Sequence, residues 1–218
     1  GIVGNDIPLR QKLPDVVTLP QLCKEAGWQA HAFGKIYHLG GGKDAAARQR
    51  WVDAGRSWQT AQDFETTKVG RKMLAGRDVT NGALKWCVWG AADGTDDDQP
   101  DGQIAAATVA MIEKLGDKPW FIGCGFMKPH DPFIAPKKYW DLYDPAKIQL
   151  APNKFRPKDA PDFAILSGGE LRNYHGIPEG SVPDDLARQL KHGYYAAISY
   201  MDAQVGKVLD EITLIDYV

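Results

Sequence analysis

The pattern of apolar and polar positions first predicts a short helix near the start of the chain. Thr18 and Gln21 have the spacing of a capping box, and Gly27 is the type of residue at which helices end. Between these signals, apolar side chains recur every three or four residues, at Leu19, Leu22, Cys23 and Ala26. This spacing places them on one face of a helix, and we expect that face to pack against a sheet.

Two further helices are predicted from the same periodicity. One begins near Asp101, which is expected to be its N-cap, and ends at Gly116. Its predicted buried face consists of Ile104, Thr108, Met111, Ile112 and Leu115. A longer helix is predicted from about Asp184 to Ile212, with a core stripe at Leu186, Leu190, Tyr194, Ala197, Met201, Val205, Val208 and Ile212.

Two segments have the pattern of strands, Trp28–Phe33 and Trp120–Phe126. The second is almost wholly apolar, which is typical of a strand that is buried on both faces. Each strand follows a predicted helix and precedes a polar loop, so the fold class is α/β, with a mostly parallel sheet sandwiched between helices. Because two strands are too few for a stable sheet, we expect it to be incomplete without strands from elsewhere in the protein.

The remaining sequence predicts less regular structure. Residues 41–100 contain four tryptophans (Trp51, Trp58, Trp86, Trp89), and we interpret this region as an insertion that they anchor to the core, with a sugar-binding cleft as the alternative. The acidic run between residues 93 and 101 lacks the spacing of a calcium-binding loop, so a solvated loop is expected. Residues 135–183 are rich in proline, which predicts an extended surface segment where His175 is an ordinary turn histidine.

Composition excludes several kinds of partner. The 26 lysines and arginines balance 28 acidic residues, for a formal charge of −2, so a nucleic-acid partner is not expected. No apolar run approaches the roughly 20 residues that a membrane-spanning helix needs. The three cysteines (Cys23, Cys87, Cys124) have no metal-binding spacing, and no metal ligand is predicted in the chain.

Charged and titratable side chains follow both predicted strands. Lys128, His130 and Asp131 come directly after the second strand, within a loop that Pro129 and Pro132 stiffen. Lys35 and His38 follow the first strand in the same way. Ligands in open α/β sheets usually bind beyond the strand ends, where two cations and two imidazoles would suit a doubly charged oxyanion and proton transfer. Taken singly, each motif is more simply a loop with a solvated lysine and a hydrogen-bonded histidine.

Several motifs together resemble the middle of a sulfatase, in the iduronate-2-sulfatase-like branch of the alkaline phosphatase superfamily. They occur in the family's order over nearly the whole chain and are weakest in residues 41–95. The matching stretches are Leu13–Pro20, Gly34–His38, Pro100–Ala105, Lys128–Phe133, Ala135–Tyr139 and Gly193–Ala196 through Gly206. The resemblance implies that residues 1–218 are the central part of a sulfatase catalytic domain.

The resemblance also implies catalytic roles. Lys35 would contact the sulfate and neutralise charge on its oxygens. His38 would hydrogen-bond the hydrated formylglycine nucleophile and later take its proton, and His130 would protonate the leaving alkoxide as general acid. Lys128 and Asp131 are candidates for substrate binding, although Lys128 could only steer or pair, and Asp131 could instead orient His130 or be an ordinary turn carboxylate.

Other parts of a sulfatase site are missing from the sequence. The family forms formylglycine from the first residue of Cys-x-Pro-x-Arg or Ser-x-Pro-x-Arg, and no cysteine or serine here fits. The divalent metal, Ca or Mg, would be held by an Asp-Asp pair before the nucleophile and an Asp-His or Asp-Asn pair beyond the region covered here. We therefore expect the true N-terminus to lie upstream of Gly1, the partners to include the missing sulfatase segments, and residues 1–218 alone to be inactive.

Three functions are consistent with these features. The first is hydrolysis of a sulfate ester, on a sulfated small molecule or glycan, by a sulfatase of which this chain is a part. The second is a catalytically incomplete remnant that binds sulfated sugar through Lys35, Lys128 and the tryptophans. The third keeps the superfamily but acts on a phosphate or phosphonate ester. By resemblance, the compartment would be exported (periplasmic or extracellular) or lysosomal.

Overall fold

The computed structural model describes residues 2, 7–38, 52–76, 89–165, 171, 174 and 177–215. The chain forms two compact units: the first contains residues 1–65, 100–127 and 203–218, and the second contains residues 66–99 and 128–202. The described elements, in chain order, are α1 (Leu9–Lys12), α2 (Leu19–Glu25), β1 (Gln29–Gly34), β2 (Thr60–Gln62), β3 (Met73–Gly76), β4 (Trp89–Ala92), α3 (Pro100–Leu115), β5 (Trp120–Gly125), β6 (Phe133–Pro136), α4 (Lys137–Trp140) and α5 (Asp184–Ile215).

The first unit contains a parallel sheet with strand order β2-β1-β5. Helices α2 and α3 pack against β1 and β5. This packing agrees with the predicted α/β arrangement, in which each strand follows a helix. Ala30, Ala32 and Trp58 form the buried centre of the unit, with Phe121 packed against them. The two strands predicted from sequence are therefore neighbours, and they run in the same direction.

Burial of β5 differs from the expectation. All six of its residues are partly exposed rather than buried on both faces, because within the described residues β5 lies at the edge of the sheet. An apolar sequence thus identified the strand, but it did not identify its position in the sheet.

The apolar face predicted for α2 is also wrong. Leu19 and Leu22 are 62% and 57% exposed, whereas Pro20 and Gln21 are buried. The Thr18 hydroxyl accepts the N–H of Gln21 at 3.3 Å as predicted, but the Gln21 amide does not complete a capping box. It donates to Glu25 and accepts from Arg10, so a polar contact sets the face that the helix buries.

The second unit contains a mixed sheet in the order β3-β4-β6, with β3 antiparallel and β6 parallel to β4. Residues 184–202 of α5 belong to this unit. The long helix is confirmed, and Leu186, Leu190 and Ala197 are buried as predicted. Its buried face then continues through Tyr200, while Tyr194 is 39% exposed, so the stripe is rotated from the predicted one.

The acidic run is solvated only in part: Asp97 is exposed, as expected, but Asp96 is only 7% exposed. Its carboxylate accepts a hydrogen bond from the Tyr139 hydroxyl at 3.0 Å and pairs with Lys138 at 2.7 Å. Its main-chain carbonyl accepts from the Tyr200 hydroxyl at 2.9 Å. The hydrogen bond to Asp96 raises the pKa of Lys138, and burial together with this carboxylate raises the pKa of Tyr139. The Asp96 carboxylate therefore stabilises contacts within the second unit.

The region from residue 41 to 100 contains more regular structure than the sequence predicts, since β2, β3 and β4 all lie in it. Trp58 and Trp89 are buried, as expected of anchors. Trp51, Trp86, Cys87 and His175 lie outside the described residues. No helix in the described part of the chain is both long and apolar enough to cross a membrane.

A buried ion pair joins the start of the first unit to the segment before β2. Arg10 donates to both carboxylate oxygens of Asp53, at 2.8 and 2.6 Å, and Ser57 donates to the same carboxylate. Burial pushes the pKa of Asp53 upward, but the hydrogen bonds from Arg10 and Ser57 outweigh it and hold the pKa below its ordinary value of 3.8. The charged form of Asp53 is therefore stabilised in the folded state.

We expect Arg10→Leu to lower the free energy of unfolding at neutral pH by about 3 kcal/mol, because it leaves a buried carboxylate without its cation. The wild-type pair contributes fully above the unfolded pKa of Asp53, near 3.8, and its contribution disappears as the pH falls through the lower folded pKa. The difference between variant and wild type should therefore shrink in acid. Urea unfolding between neutral and acidic pH measures it.

Arg156→Leu is the matched control, because Arg156 pairs with Asp162 on the exposed surface. Its effect should stay within about 0.5 kcal/mol at every pH. An Arg10→Leu variant whose loss of stability is the same at both ends of the pH range would contradict the assignment to a charged Asp53.

Candidate active site

The ends of β1 and β5 are held together by their backbones. Gly34 lies opposite Gly125 in the parallel register, and the N–H of Lys35 donates to the carbonyl of Gly125 at 2.8 Å. A Cβ on Gly125 would overlap the carbonyl oxygen of Lys35, and Gly34 has a φ of +74°, which favours glycine. Both strands therefore end at one sheet edge, and Lys35 begins there.

The segment between Lys35 and His38 is anchored by its two apolar residues. Ile36 and Tyr37 pack against the buried cluster around Trp58, and the rings of Tyr37 and Trp58 are 6.1 Å apart. Lys35 is half-buried and His38 is exposed. Neither side chain has a hydrogen-bond or ion-pair partner among the described residues, so the ammonium and the imidazole can both meet a ligand.

Lys128 closes a turn in the second unit. Its ammonium donates to the carbonyl of Pro132 at 2.6 Å and to that of His130 at 3.3 Å, and the Lys128–Pro129 and Asp131–Pro132 peptide bonds are cis. These contacts tie the carbonyls of His130 and Pro132 to the ammonium of Lys128. They favour a steering or pairing role for Lys128. Direct binding of substrate by Lys128 stays a prediction.

Asp131 fixes the orientation of His130. The Nδ1 atom of His130 lies 2.7 Å from the main-chain carbonyl oxygen of Asp131 and 2.7 Å from its carboxylate Oδ1. Both atoms are acceptors, so Nδ1 must carry a proton and donate it. Proton exchange with a ligand is then a task for Nε2, and this geometry favours the orienting role for Asp131.

The predicted site residues fall into two groups. Lys128, His130 and Asp131 lie together in the second unit, while Lys35 and His38 lie together in the first. The convergence of the two groups on one oxyanion stays a prediction.

No group of three or more His, Cys, Asp or Glu side chains that could hold a metal ion occurs within the described residues. The described residues therefore do not form a metal centre by themselves. Cys124 is not an activated nucleophile either, because burial, with the negative charge of Asp101, raises the pKa of its thiol.

Asp101 has a position that the sequence analysis missed. It lies in the first turn of α3 rather than capping it, it is 1% exposed, and its carboxylate accepts the N–H of Met127 at 2.7 Å. Its acidic character and the helix start were visible in the sequence, but the contact joins residues 26 positions apart. No local signal predicts such a contact.

Comparison with known proteins now adds to this geometry. The sequence profile of the sulfatase family matches residues 1–216. The chain belongs to the sulfatase family. Iduronate 2-sulfatase of Mus musculus is 30% identical over 210 residues, which cover 89% of this chain and 36% of that protein. A sulfatase of Formosa agariphila is 26% identical over 204 residues, covering 91% and 38% respectively. This sulfatase chain thus spans little more than a third of the length of these relatives.

Solved structures confirm the fold class. A phosphonate monoester hydrolase from Silicibacter pomeroyi superposes with a TM-score of 0.66 at 18% identity, covering 98% of this chain and 46% of that one. The phosphonate monoester hydrolase of Agrobacterium radiobacter gives 0.61 at 16% identity. At these identities the likeness concerns the fold, which is the predicted α/β fold of sulfatase type.

We expect Gly125→Ala to lower the free energy of unfolding by about 1–3 kcal/mol, because its methyl group would overlap the backbone of Lys35, which cannot rotate away. Urea unfolding measures the change. Gly206→Ala is the matched control, since a Cβ there meets nothing within 4 Å and Gly206 lies inside α5. That variant should be unchanged or more stable by up to about 1 kcal/mol. Equal stability of the two variants would disprove the close contact of the strand ends.

Proposed function

We propose that the protein containing residues 1–218 is a sulfuric ester hydrolase that acts on a sulfated small molecule or glycan. The match of the sulfatase family over residues 1–216 carries this proposal. The two Lys and His groups that follow β1 and β5 support it. The similarity to iduronate 2-sulfatase favours a carbohydrate substrate, and an exported or lysosomal setting is part of the same proposal.

In this proposal Lys35 binds the sulfate group. Its backbone is fixed by the contact with Gly125, the residue is half-buried, and its ammonium has no partner among the described residues. An ammonium in that setting neutralises charge on the sulfate oxygens. The charge is present in the bound ester as well as in the transition state, so Lys35 contributes to both substrate binding and rate.

His130 acts as the general acid. Because Nδ1 donates to Asp131, the protonated imidazole presents its second proton at Nε2. As the bond between sulfur and the ester oxygen breaks, that proton passes to the oxygen and the alcohol leaves neutral. Asp131 orients the ring, and the ammonium of Lys128 holds the turn by binding Pro132.

His38 lies next to the anion-binding lysine and is exposed, so its imidazole can hold a proton beside the reacting group. The formylglycine and divalent metal of sulfatases supply the nucleophile and a Lewis acid when present. We propose that both belong to parts of the protein outside residues 1–218. No cysteine or serine of the sequence lies in a Cys-x-Pro-x-Arg or Ser-x-Pro-x-Arg motif, and the described residues contain no metal-binding cluster.

The test is a paired assay on the full-length protein, with sulfate, phosphate and phosphonate monoesters of one leaving alcohol, for the wild type and His130→Ala. We expect the sulfate ester to be hydrolysed with the highest kcat/KM. His130→Ala should reduce kcat by about 10²–10⁴-fold with little change in KM, since it removes a proton donor to the leaving group. A leaving alcohol of low pKa should partly restore the rate.

His192→Ala is the matched histidine control, because His192 lies in α5 and contacts the carbonyl of Trp140. It should retain wild-type kcat where the protein is folded. Preference for the phosphate or phosphonate ester would support the alternative hydrolase, and binding of sulfated sugar without turnover would support the remnant. A near wild-type kcat for His130→Ala would remove His130 as the acid.

Lys35→Ala should raise KM and lower kcat together, because the anionic charge that Lys35 meets exists before and during the reaction. Steady-state kinetics on the preferred ester measure both constants. Lys118→Ala, at an exposed position before β5, is the control and should change neither. An unchanged KM for Lys35→Ala would mean that Lys35 is structural.

A further inference from the structure

We propose that Asp101 is a positioning residue for the turn that carries Lys128, His130 and Asp131. The proposal rests on the function assigned above to His130. Asp101 would not touch the ester. It would act on His130 through the main chain of the turn. Its carboxylate binds the N–H of Met127, and Met127 is joined by its peptide bond to Lys128, where the turn begins.

The carboxylate of Asp101 is well placed to fix that point of the chain. The side chain is 1% exposed, and the distance of 2.7 Å from its Oδ1 to the nitrogen of Met127 is typical of a charge-assisted hydrogen bond. Asp101 also lies in the first turn of α3, where the helix dipole stabilises a negative charge. A charge-assisted bond to a buried carboxylate restrains the backbone more strongly than a neutral contact would.

The helix that carries Asp101 also contacts the other strand end. Ile104, one turn further along α3, is 1% exposed and packs so closely beneath Gly34 that a Cβ there would overlap its side chain. The first turns of α3 therefore touch both the residue before Lys35 and the residue before Lys128. Helix α3 spans 16 residues and packs on β1 and β5. It is therefore a rigid support for Gly34 and for Met127, which lie at and just beyond the ends of these strands.

Loss of the hydrogen bond between Asp101 and the N–H of Met127 would allow the turn to shift without unfolding the sheet. The reason is that the pairing of β1 with β5 already ends at Gly125. A displacement of about 1 Å in a catalytic group can reduce a rate by about 100-fold. The expected signature is therefore a fall in kcat with KM nearly unchanged, since Lys35, which binds the sulfate, is held by a different contact.

The test compares Asp101→Ala with Asp101→Asn in the full-length enzyme. Asp101→Ala removes the acceptor, and we expect kcat to fall by about 10- to 100-fold. Asp101→Asn keeps an oxygen that can accept from Met127, and it should recover most of that loss. Thr108→Val is the control, because Thr108 is buried in the same helix, where its hydroxyl donates to Ile104. It should alter stability with kcat intact.

A second measurement does not depend on turnover. The ring signals of His130, observed by NMR in the same proteins, should shift in Asp101→Ala and match the wild type in Asp101→Asn and Thr108→Val. If the wild type hydrolyses no ester, the proposed function fails, and these signals still test the positioning. His130 signals that are unchanged in Asp101→Ala, or a kcat loss no larger than that of Thr108→Val, would overturn the inference.

Discussion

The parallel pairing of β1 with β5 is the constraint on which the candidate site depends. It brings two strand ends to one edge of a sheet, and it does so at a point where both strands carry glycine. Because Gly34 and Gly125 have no side chains, the carbonyl of Gly125 can accept the N–H of Lys35 at 2.8 Å. Lys35, the first residue after β1, is thus fixed by backbone atoms alone, which leaves its ammonium available to a ligand.

Polar groups in this chain divide into those that are paired within the scaffold and those that have no partner among the described residues. Asp53 and Asp96 are buried carboxylates, and each is satisfied by a cation and a hydroxyl of its own unit. In contrast, Lys35 and His38 retain unpaired polar atoms within the described part of the chain. Burying a charge without partners is costly, so the satisfied carboxylates follow from folding, whereas the available cation of Lys35 is the one that the proposed function uses.

Periodicity predicted the elements well, because helices and strands impose spacings that can be counted. It located β1, β5, α3 and the long helix α5 to within a few residues, and it placed the Lys and His groups after neighbouring strands. It failed where a long-range polar contact determines the outcome. Leu19 and Leu22 are exposed whereas Gln21, which binds Arg10, is buried, and Asp101 is buried where it accepts the N–H of Met127. Such contacts leave no trace in local spacing.

The same limit applies to the site. Residue types and strand ends indicated anion chemistry, but the tautomer of His130 follows only from the two acceptors at Nδ1. The closure of the turn by Lys128 was likewise invisible, since a lysine beside two prolines carries no signal that its ammonium will bind a carbonyl four residues away.

The register between β1 and β5 also has a consequence for synthesis of the protein. Gln29 pairs with Trp120, so partners that lie side by side are 91 positions apart in the sequence. On the ribosome, β2 follows β1 closely, but β5 emerges only after the whole intervening sequence, including β3 and β4 of the second unit. Pairings this distant in sequence form slowly and leave apolar strands exposed meanwhile. We therefore expect the nascent chain to depend on chaperones until β5 has left the exit tunnel.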